Sequence, residues 1–304
     1  MNLAIILCKQ IAIMFVLMAT GFIFFRKKMI TIQGSADMGK ILLYLVIPVV
    51  IVNSFWVDRS SERTLALVHS AIIAAIAMGI AITVSMVVFG TKKGVSCFSS
   101  AFSNAGFIGI PLVQAVLGSD AVFYISVMIV LINLLQWTFG VFVMTKDKSV
   151  MKPERVVRNP IVISVLIGLI IYFGGIPKPQ IVTTLISNLT GLNTPLAMMV
   201  SGGYLAQSNL ADLWKKKQAW FVCLMRLLII PLITIAVFQI LPFGSMDVKL
   251  SILIAAACPV GSNVAIFAQQ YHCDYREAVE QVCLSTIVCL ITLPFVTALS
   301  AAIF

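Results

Sequence analysis

Two short stretches decide how this chain folds, SNAGFIGIP at residues 103–111 and CPVGSN at residues 258–263. Each combines serine, asparagine, glycine and proline, and each lies inside a long run of residues that carries no charge. Proline removes a backbone hydrogen-bond donor and clashes with the preceding turn, and glycine lowers helix propensity. We therefore predict that two helices of this chain break in the middle of an apolar segment.

The composition predicts that these helices lie in a membrane. Apolar residues (AVILMFWYC) make up 61% of the 304 residues, and charged residues only 11%, against about 25% in an average soluble domain. A spanning helix needs roughly 20 mostly apolar residues. Ten runs of at least sixteen residues contain no Asp, Glu, Lys or Arg, namely 10–25, 41–57, 64–91, 94–119, 121–145, 159–177, 179–211, 227–246, 250–273 and 281–304. We predict an all-α polytopic membrane protein with ten transmembrane helices.

The net charge of +10 is distributed unevenly between the two sides of the predicted membrane, which excludes a nucleic-acid-binding surface as its explanation. One side collects Arg26, Lys27, Lys28, Lys40, Lys92, Lys93, Lys146, Lys148, Lys152, Arg155, Arg158, Lys215, Lys216, Lys217 and Arg276. The other side has only Arg59, Arg63, Lys178 and Lys249. Because basic loops favour the cytoplasmic side, we expect a multi-pass protein of the cell (cytoplasmic) membrane with both termini outside.

The chain divides into two halves around a polar stretch. Residues 146–158 (KDKSVMKPERVVR) form a short cytoplasmic linker between a first five-helix repeat, 1–145, and a second, 159–304. Five is an odd number, so the second half crosses the membrane in the opposite sense, and the repeats are inverted. Helices interrupted by glycine and proline at matching places of inverted repeats are typical of secondary transporters.

The interruptions fall in spans 4 and 9, which run in opposite directions, so we expect them to cross near the middle of the membrane. A half-helix that starts at a break points free N–H groups and the positive end of its dipole into the site. This arrangement suits an anion such as a carboxylate. The alternative is that glycine and proline only kink or closely pack these helices. The predicted substrate-binding residues are Ser103, Asn104, Gly106, Gly109, Pro111, Pro259, Gly261, Ser262 and Asn263.

Three ionisable residues lie within or at the ends of predicted spans. Arg226 lies well inside span 8, where it contributes to function, snorkels to the interface or pairs structurally. His69 lies near the outer start of span 3, as a proton-coupling residue or an interfacial one. Glu280 lies one turn into span 10, as a proton site or as a residue that favours the helix N-terminus. All three are candidates for a charge or coupling role.

Four stretches resemble the auxin efflux carrier family of membrane transporters, in its bacterial branch of malonate and malate permeases. They are SNAGFIGIPL (103–112), RLLIIPL (226–232), ACPVGSNVAIFAQQY (257–271) and LSTIVCLITLP (284–294). The resemblance implies a fold like that of bile acid symporters and sodium/proton antiporters. Spans 1, 2, 6 and 7 would form a scaffold, and spans 3–5 and 8–10 a mobile transport domain that contains the crossover. Known members carry organic anions, including plant auxins and, in bacteria, malonate or malate.

Carried over by position, the resemblance marks Asn104, Gly109, Pro111, Pro259, Gly261 and Asn263 as crossover residues. The chain departs from the family in two places. Residues 146–158 are much shorter than the central loop of many plant members, and Glu280 stands where a small residue is expected.

These observations predict a secondary transporter that moves a small organic anion by elevator-like alternating access. A channel-like uniporter of organic anions and a membrane sensor without transport are the alternatives. An enzyme is not expected, because His69 and His272 lie far apart in sequence and no GxxxxGK[ST] motif is present. We expect no metal and no cofactor, with H⁺ or Na⁺ as the coupling ion. The expected partners are the organic anion and membrane lipid, with no nucleic acid, and the scaffold spans offer a surface for a homodimer.

Overall fold

The computed structural model describes residues 3–147, 149, 158–208 and 210–303, and the described residues are almost entirely helical. The first half forms α1 (Leu3–Arg26), α2 (Ile32–Ile41), α3 (Ile47–Phe55), α4 (Ser61–Phe89), α5 (Gly94–Ala101), α6 (Ile110–Leu117), α7 (Val122–Leu135) and α8 (Val141–Thr145). The second half forms α9 (Pro160–Gly174), α10 (Gln180–Gly191), α11 (Asn193–Gln207), α12 (Leu210–Leu213), α13 (Lys217–Leu224), α14 (Ile230–Ile240), α15 (Met246–Ala257), α16 (Asn263–Gln270) and α17 (Tyr275–Ile303).

Several helices begin or continue through a widened, π-helical turn. These segments are Leu42–Val46, Ala105–Gly109, Gln136–Gly140 and Met225–Ile229. The first, second and fourth are each followed by a proline in the first turn of the next helix, namely Pro48, Pro111 and Pro231. A proline has no N–H to donate and clashes with the carbonyl one turn back, so the turn before it widens.

The described residues contain six helical stretches that are long and apolar enough to span a membrane. They are Cys8–Arg26, Ile32–Phe55, Ser61–Phe89, Ser119–Thr145, Lys217–Ile240 and Tyr275–Ile303. The other predicted spans are shorter, as in α9, or consist of two helices, as in α10 and α11. The chain is therefore a polytopic helical membrane protein, and the number of ten spans stays a prediction.

Local chemistry explains where several of these helices begin and end. The side chains of Ser60 and Asn159 accept hydrogen bonds from the N–H groups of Arg63 and Ile161, which satisfies donors in the first turns of α4 and α9. At the other end of α4, Gly90 has φ 56°, a conformation that glycine adopts without steric cost. Polar caps and terminal glycines thus set the ends of apolar helices.

Close backbone contacts join the two halves of the chain along α1 and α11. A Cβ atom on Gly202 would lie 2.1 Å from the carbonyl oxygen of Met18, and one on Gly21 would lie 2.3 Å from that of Met199. Small residues let membrane helices approach in this way. α3 packs on α9, while α4 packs on α5, α7 and α15, and α13 packs on α17.

The loops gather at two ends of the helix bundle. At one, called the basic end, a surface pocket is lined by Lys92, Lys93, Lys146, Lys216 and Arg276. At the other, called the opposite end, residues 58–63 lie near Ser245 and Asp247. Loops that the sequence assigns to one side of the membrane therefore meet at one end of the bundle. The side of the membrane that each end faces stays a prediction.

Candidate functional site

The two helix interruptions lie side by side and bond to each other through their backbones. The N–H of Asn104 donates to the carbonyl of Pro259 at 2.8 Å, and the N–H of Gly261 donates to the carbonyl of Phe102 at 3.0 Å. Ser103 and Val260 form an antiparallel bridge. Backbone groups freed by a broken helix must find partners inside a membrane protein, and here each interruption provides an acceptor for one N–H group of the other. We call this pairing the crossover, comprising residues 102–106 and 258–263.

Side-chain amides extend the crossover to neighbouring helices. Asn104 Nδ2 donates to Ser262 Oγ at 3.1 Å, and Asn104 Oδ1 accepts from the N–H of Phe107 at 3.4 Å. Asn263 Nδ2 donates to Gln136 Oε1 at 2.9 Å. The second amide pair therefore connects the start of α16 to the helical stretch of α7 and α8.

A small cavity of about 30 Å³ lies against the crossover. A water molecule needs roughly 10–15 Å³ on this measure, so the cavity holds about two. Its lining consists of Leu43, Ile47, Ser103, Asn104, Ala105, Gly106, Phe107, Ile129, Ile132, Asn133, Gln136, Ile161, Gly261, Ser262 and Asn263. No charged side chain lines it within the part of the chain that the structure describes. The cavity is polar on its crossover side and apolar on the side of Leu43, Ile47 and Ile161.

Four residues that line this cavity have unused backbone donors. In the described part of the chain, the N–H groups of Ala105 and Gly106 donate no hydrogen bond, and neither do those of Ser262 and Asn263. All four stand at the beginning of a helical segment, where the first N–H groups have no partner within the helix. The buried hydroxyl of Ser103 also has no partner among the described residues. A ligand with acceptor oxygens would satisfy these donors.

Three of the predicted site residues lie in the crossover or next to it without lining the cavity. Gly109 allows close packing, since a Cβ there would lie 3.2 Å from Ile125 Cδ1. Pro111 follows the widened turn at Ala105–Gly109, and Pro259 supplies the carbonyl that Asn104 binds. The structure thus brings the remaining six, Ser103, Asn104, Gly106, Gly261, Ser262 and Asn263, to the cavity itself.

Arg226 lies outside the crossover, beside the end of α5. Its side chain is fully buried, with 1% exposed, and Nη1 donates to the carbonyls of Ser100 at 3.0 Å and Ala101 at 3.1 Å. A buried guanidinium does not snorkel to the interface, and this one does not line the cavity. Arg226 binds the end of α5, which is a structural pairing and not a contact with the predicted substrate site.

Glu280 and His69 lie away from the cavity. Glu280 Oε1 pairs with Lys216 at 2.9 Å and with Arg276 at 3.1 Å, at the basic end. His69 is half-buried near the opposite end, with its ring centroid 5.4 Å from that of Phe243. The structure therefore does not bring these two candidates to the predicted substrate site.

Asn133 and Gln136 line the cavity and were missed by the sequence analysis. Both are almost fully buried, at 7% and 1% exposure. The available signal was two amides three residues apart in the apolar stretch VLINLLQW, a spacing that puts both on one helix face.

Two interrupted helices, paired beside a partly polar cavity in a polytopic helical membrane protein, are typical of solute transporters. The chain belongs to the membrane transport protein family. The sequence pattern of this family matches the chain twice, at residues 6–156 and 148–297. The members of this family are described as membrane transport proteins.

A relative in Methanothermobacter thermautotrophicus (strain Delta H) is described as an uncharacterized transporter. The two chains are 27% identical over 204 residues, which is 64% of each chain. This chain thus matches somewhat less than two thirds of the length of that relative.

Proposed function

We propose that this protein is a secondary transporter of small organic anions that carry a carboxylate, and that it binds them at the crossover. The observation that supports this most is that four residues lining the cavity, Ala105, Gly106, Ser262 and Asn263, have backbone N–H groups without an acceptor in the described part of the chain. Convergent N–H groups at helix starts bind anions through hydrogen bonds and the helix dipole. A carboxylate supplies two oxygens that accept such bonds.

The proposed topology has ten spans in two inverted repeats, 1–145 and 159–304, joined by the linker 146–158. The family description matches the chain in two segments of similar length, which agrees with this division. α5 and α15 each end at an interruption, and a second helical segment follows each of them. The positive-inside rule then assigns the basic end to the cytoplasm, with both termini outside the cell membrane.

The proposed mechanism is elevator-like alternating access, with spans 1, 2, 6 and 7 as the scaffold and spans 3–5 and 8–10 as the transport domain. The cavity lies on the border between these groups. Leu43 and Ile47 come from span 2 and Ile161 from span 6, whereas the polar lining comes from spans 4, 5 and 9. A site at such a border is exposed or shielded when one group slides against the other.

An aromatic cluster supports a conformation that is closed toward the opposite end. Phe55 and Tyr172, of spans 2 and 6, pack on Phe123 of span 5, with ring centroids 4.8 and 5.3 Å apart. Tyr172 Oη also contacts Thr64 Oγ1, at 3.0 Å. Phe55 lies eight residues beyond Ile47, roughly 12 Å along a helix. The aromatic contact between the proposed scaffold and the proposed transport domain is thus distant from the cavity.

Uptake into proteoliposomes tests the proposal. Labelled malonate, malate and a monocarboxylate are offered under an imposed H⁺ or Na⁺ gradient, or without one. We expect saturable uptake and exchange against unlabelled anion inside, which a channel-like uniporter does not show. Non-saturating flux would favour the uniporter, and tight binding without flux would favour a sensor. Dependence on one gradient would identify the coupling ion. The mass of the detergent-solubilised protein would show whether it forms the homodimer expected through the scaffold spans.

A further inference from the structure

Arg226 is a buried cation for which the described residues provide no ion-pair partner. Nε and Nη2 are buried and have no hydrogen-bond acceptor there, and no carboxylate lies within salt-bridge distance. Leaving water costs a charged group much free energy unless it is paired and hydrogen-bonded. Packing alone therefore does not explain why a buried arginine without an ion-pair partner among the described residues occupies this position.

The contacts of Nη1 supply that reason. Its two acceptors, the carbonyls of Ser100 and Ala101, end α5 and have no partner within the helix. A helix carries the negative end of its dipole at this terminus, which a cation stabilises. Ala101 stands three residues before Asn104, so the guanidinium anchors the chain directly before it enters the crossover.

The anchor also affects the charge balance of the crossover. Two helices, α5 and α15, end at the crossover with carbonyl groups, and two helical segments begin there with N–H groups. Carbonyl ends repel an anion and N–H ends attract one. Because Arg226 binds the carbonyls at the end of α5, these carbonyls repel a bound anion less. The unused N–H groups of Ala105 and Gly106 then attract the anion with less competing repulsion.

We propose that Arg226 is a positioning residue of the crossover, an inference that rests on the proposed function. It holds the end of α5 so that Ser103 and Asn104 face Ser262. Its positive charge also reduces the repulsion between the negative end of the α5 dipole and a bound anion. Arg226 itself stays off the cavity and makes no direct contact with the substrate.

Hydrogen–deuterium exchange of the full chain in detergent tests the positioning without any substrate. The backbone amides of Asn104 and Gly261 bond across the crossover and report on it. In Arg226→Gln we expect these amides to exchange about tenfold faster or more, because the hydrogen bonds from the charged guanidinium to the end of α5 are lost. Arg226→Lys keeps the charge without the planar fork, and its increase should be smaller. Thr234→Val, a buried change in α14 whose hydroxyl bonds only within its helix, serves as the control with unchanged crossover exchange.

Exchange that rises equally in α1 and α11 would show that Arg226 only stabilises the fold, and unchanged exchange at the crossover would also overturn the proposal. If Arg226→Gln yields no folded protein, Arg226→Lys decides by the same comparison. Malonate uptake adds a second readout, in which Arg226→Lys should restore part of the rate lost in Arg226→Gln. A wild-type protein that takes up no carboxylate would overturn the proposed function, and the exchange measurement would still decide the role of Arg226.

Discussion

Asn104 Nδ2 donates to Ser262 Oγ at 3.1 Å across 158 residues of sequence. The two residues belong to opposite halves of the chain, and each stands at the start of a helical segment that follows an interruption. This bond, together with the backbone bonds beside it, holds the two interrupted helices at the cavity. Its loss should therefore affect ligand binding more than folding.

We predict that Asn104→Ala and Asn263→Ala remain monodisperse in detergent and lose most substrate binding. Each change leaves a buried polar partner unsatisfied, at a cost of about 1–3 kcal/mol, which corresponds to roughly tenfold to a hundredfold in affinity. Binding of labelled malonate or malate to purified protein measures the effect.

The matched control is Asn53→Ala. Asn53 lies in α3 outside the cavity, where its amide oxygen accepts from Lys178. This variant should bind nearly as the parent does. If both crossover variants bind as tightly as the parent, the anion site is not at the crossover.

A disulfide between positions 54 and 126 should stop transport. Ser54 Oγ and Ser126 Oγ lie 3.2 Å apart next to the aromatic cluster, one in span 2 and the other in span 5. Side chains this close are within reach of a disulfide after replacement of both by cysteine. In the elevator mechanism the bond locks the scaffold to the transport domain, so oxidation should abolish uptake in proteoliposomes and reduction should restore it. The two single cysteine variants control for the substitutions, and full activity in the oxidised double variant would contradict a sliding movement at this border.

Gly261→Ala should disturb the crossover. A Cβ there would lie 3.1 Å from the carbonyl oxygen of Ser103, a backbone atom of the facing interruption. Because backbone must shift to make room, we expect a loss of about 1–3 kcal/mol of stability and reduced uptake. Gly79→Ala is the control, since its Cβ meets nothing within 4 Å, and thermal unfolding should distinguish the two.

Labelling of introduced cysteines tests the orientation. In a Cys8→Ser background, which removes an exposed thiol, a membrane-impermeant maleimide applied to intact cells should label cysteines at Ser61 and Ser245. Cysteines at Ser149 and Lys216 should stay unlabelled, because basic loops favour the cytoplasm. Labelling at Ser149 from outside would reverse the orientation and argue against the inverted repeats.

The sequence by itself determined the helical membrane class and the location of the interruptions. Few charges and long apolar runs leave a chain no stable arrangement in water, and in lipid only helices satisfy their own backbone. Within such helices the clusters at 103–111 and 258–263 break the regular hydrogen bonding wherever they fall, because proline and glycine act locally. These features depend on neighbours in sequence, so they can be read from it.

Only the tertiary structure decided what the polar side chains bind. Arg226 meets the carbonyls of Ser100 and Ala101, and Gln136 meets Asn263, across 125 to 127 residues of sequence. The sequence left Glu280 undecided, and its ion pair with Lys216 arises because α13 packs beside α17. Which helices become neighbours depends on the summed packing of many apolar surfaces. The identity of a single buried arginine or amide does not reveal how the helices pack. Its hydrogen-bond partner is therefore known only when the positions of the helices are known.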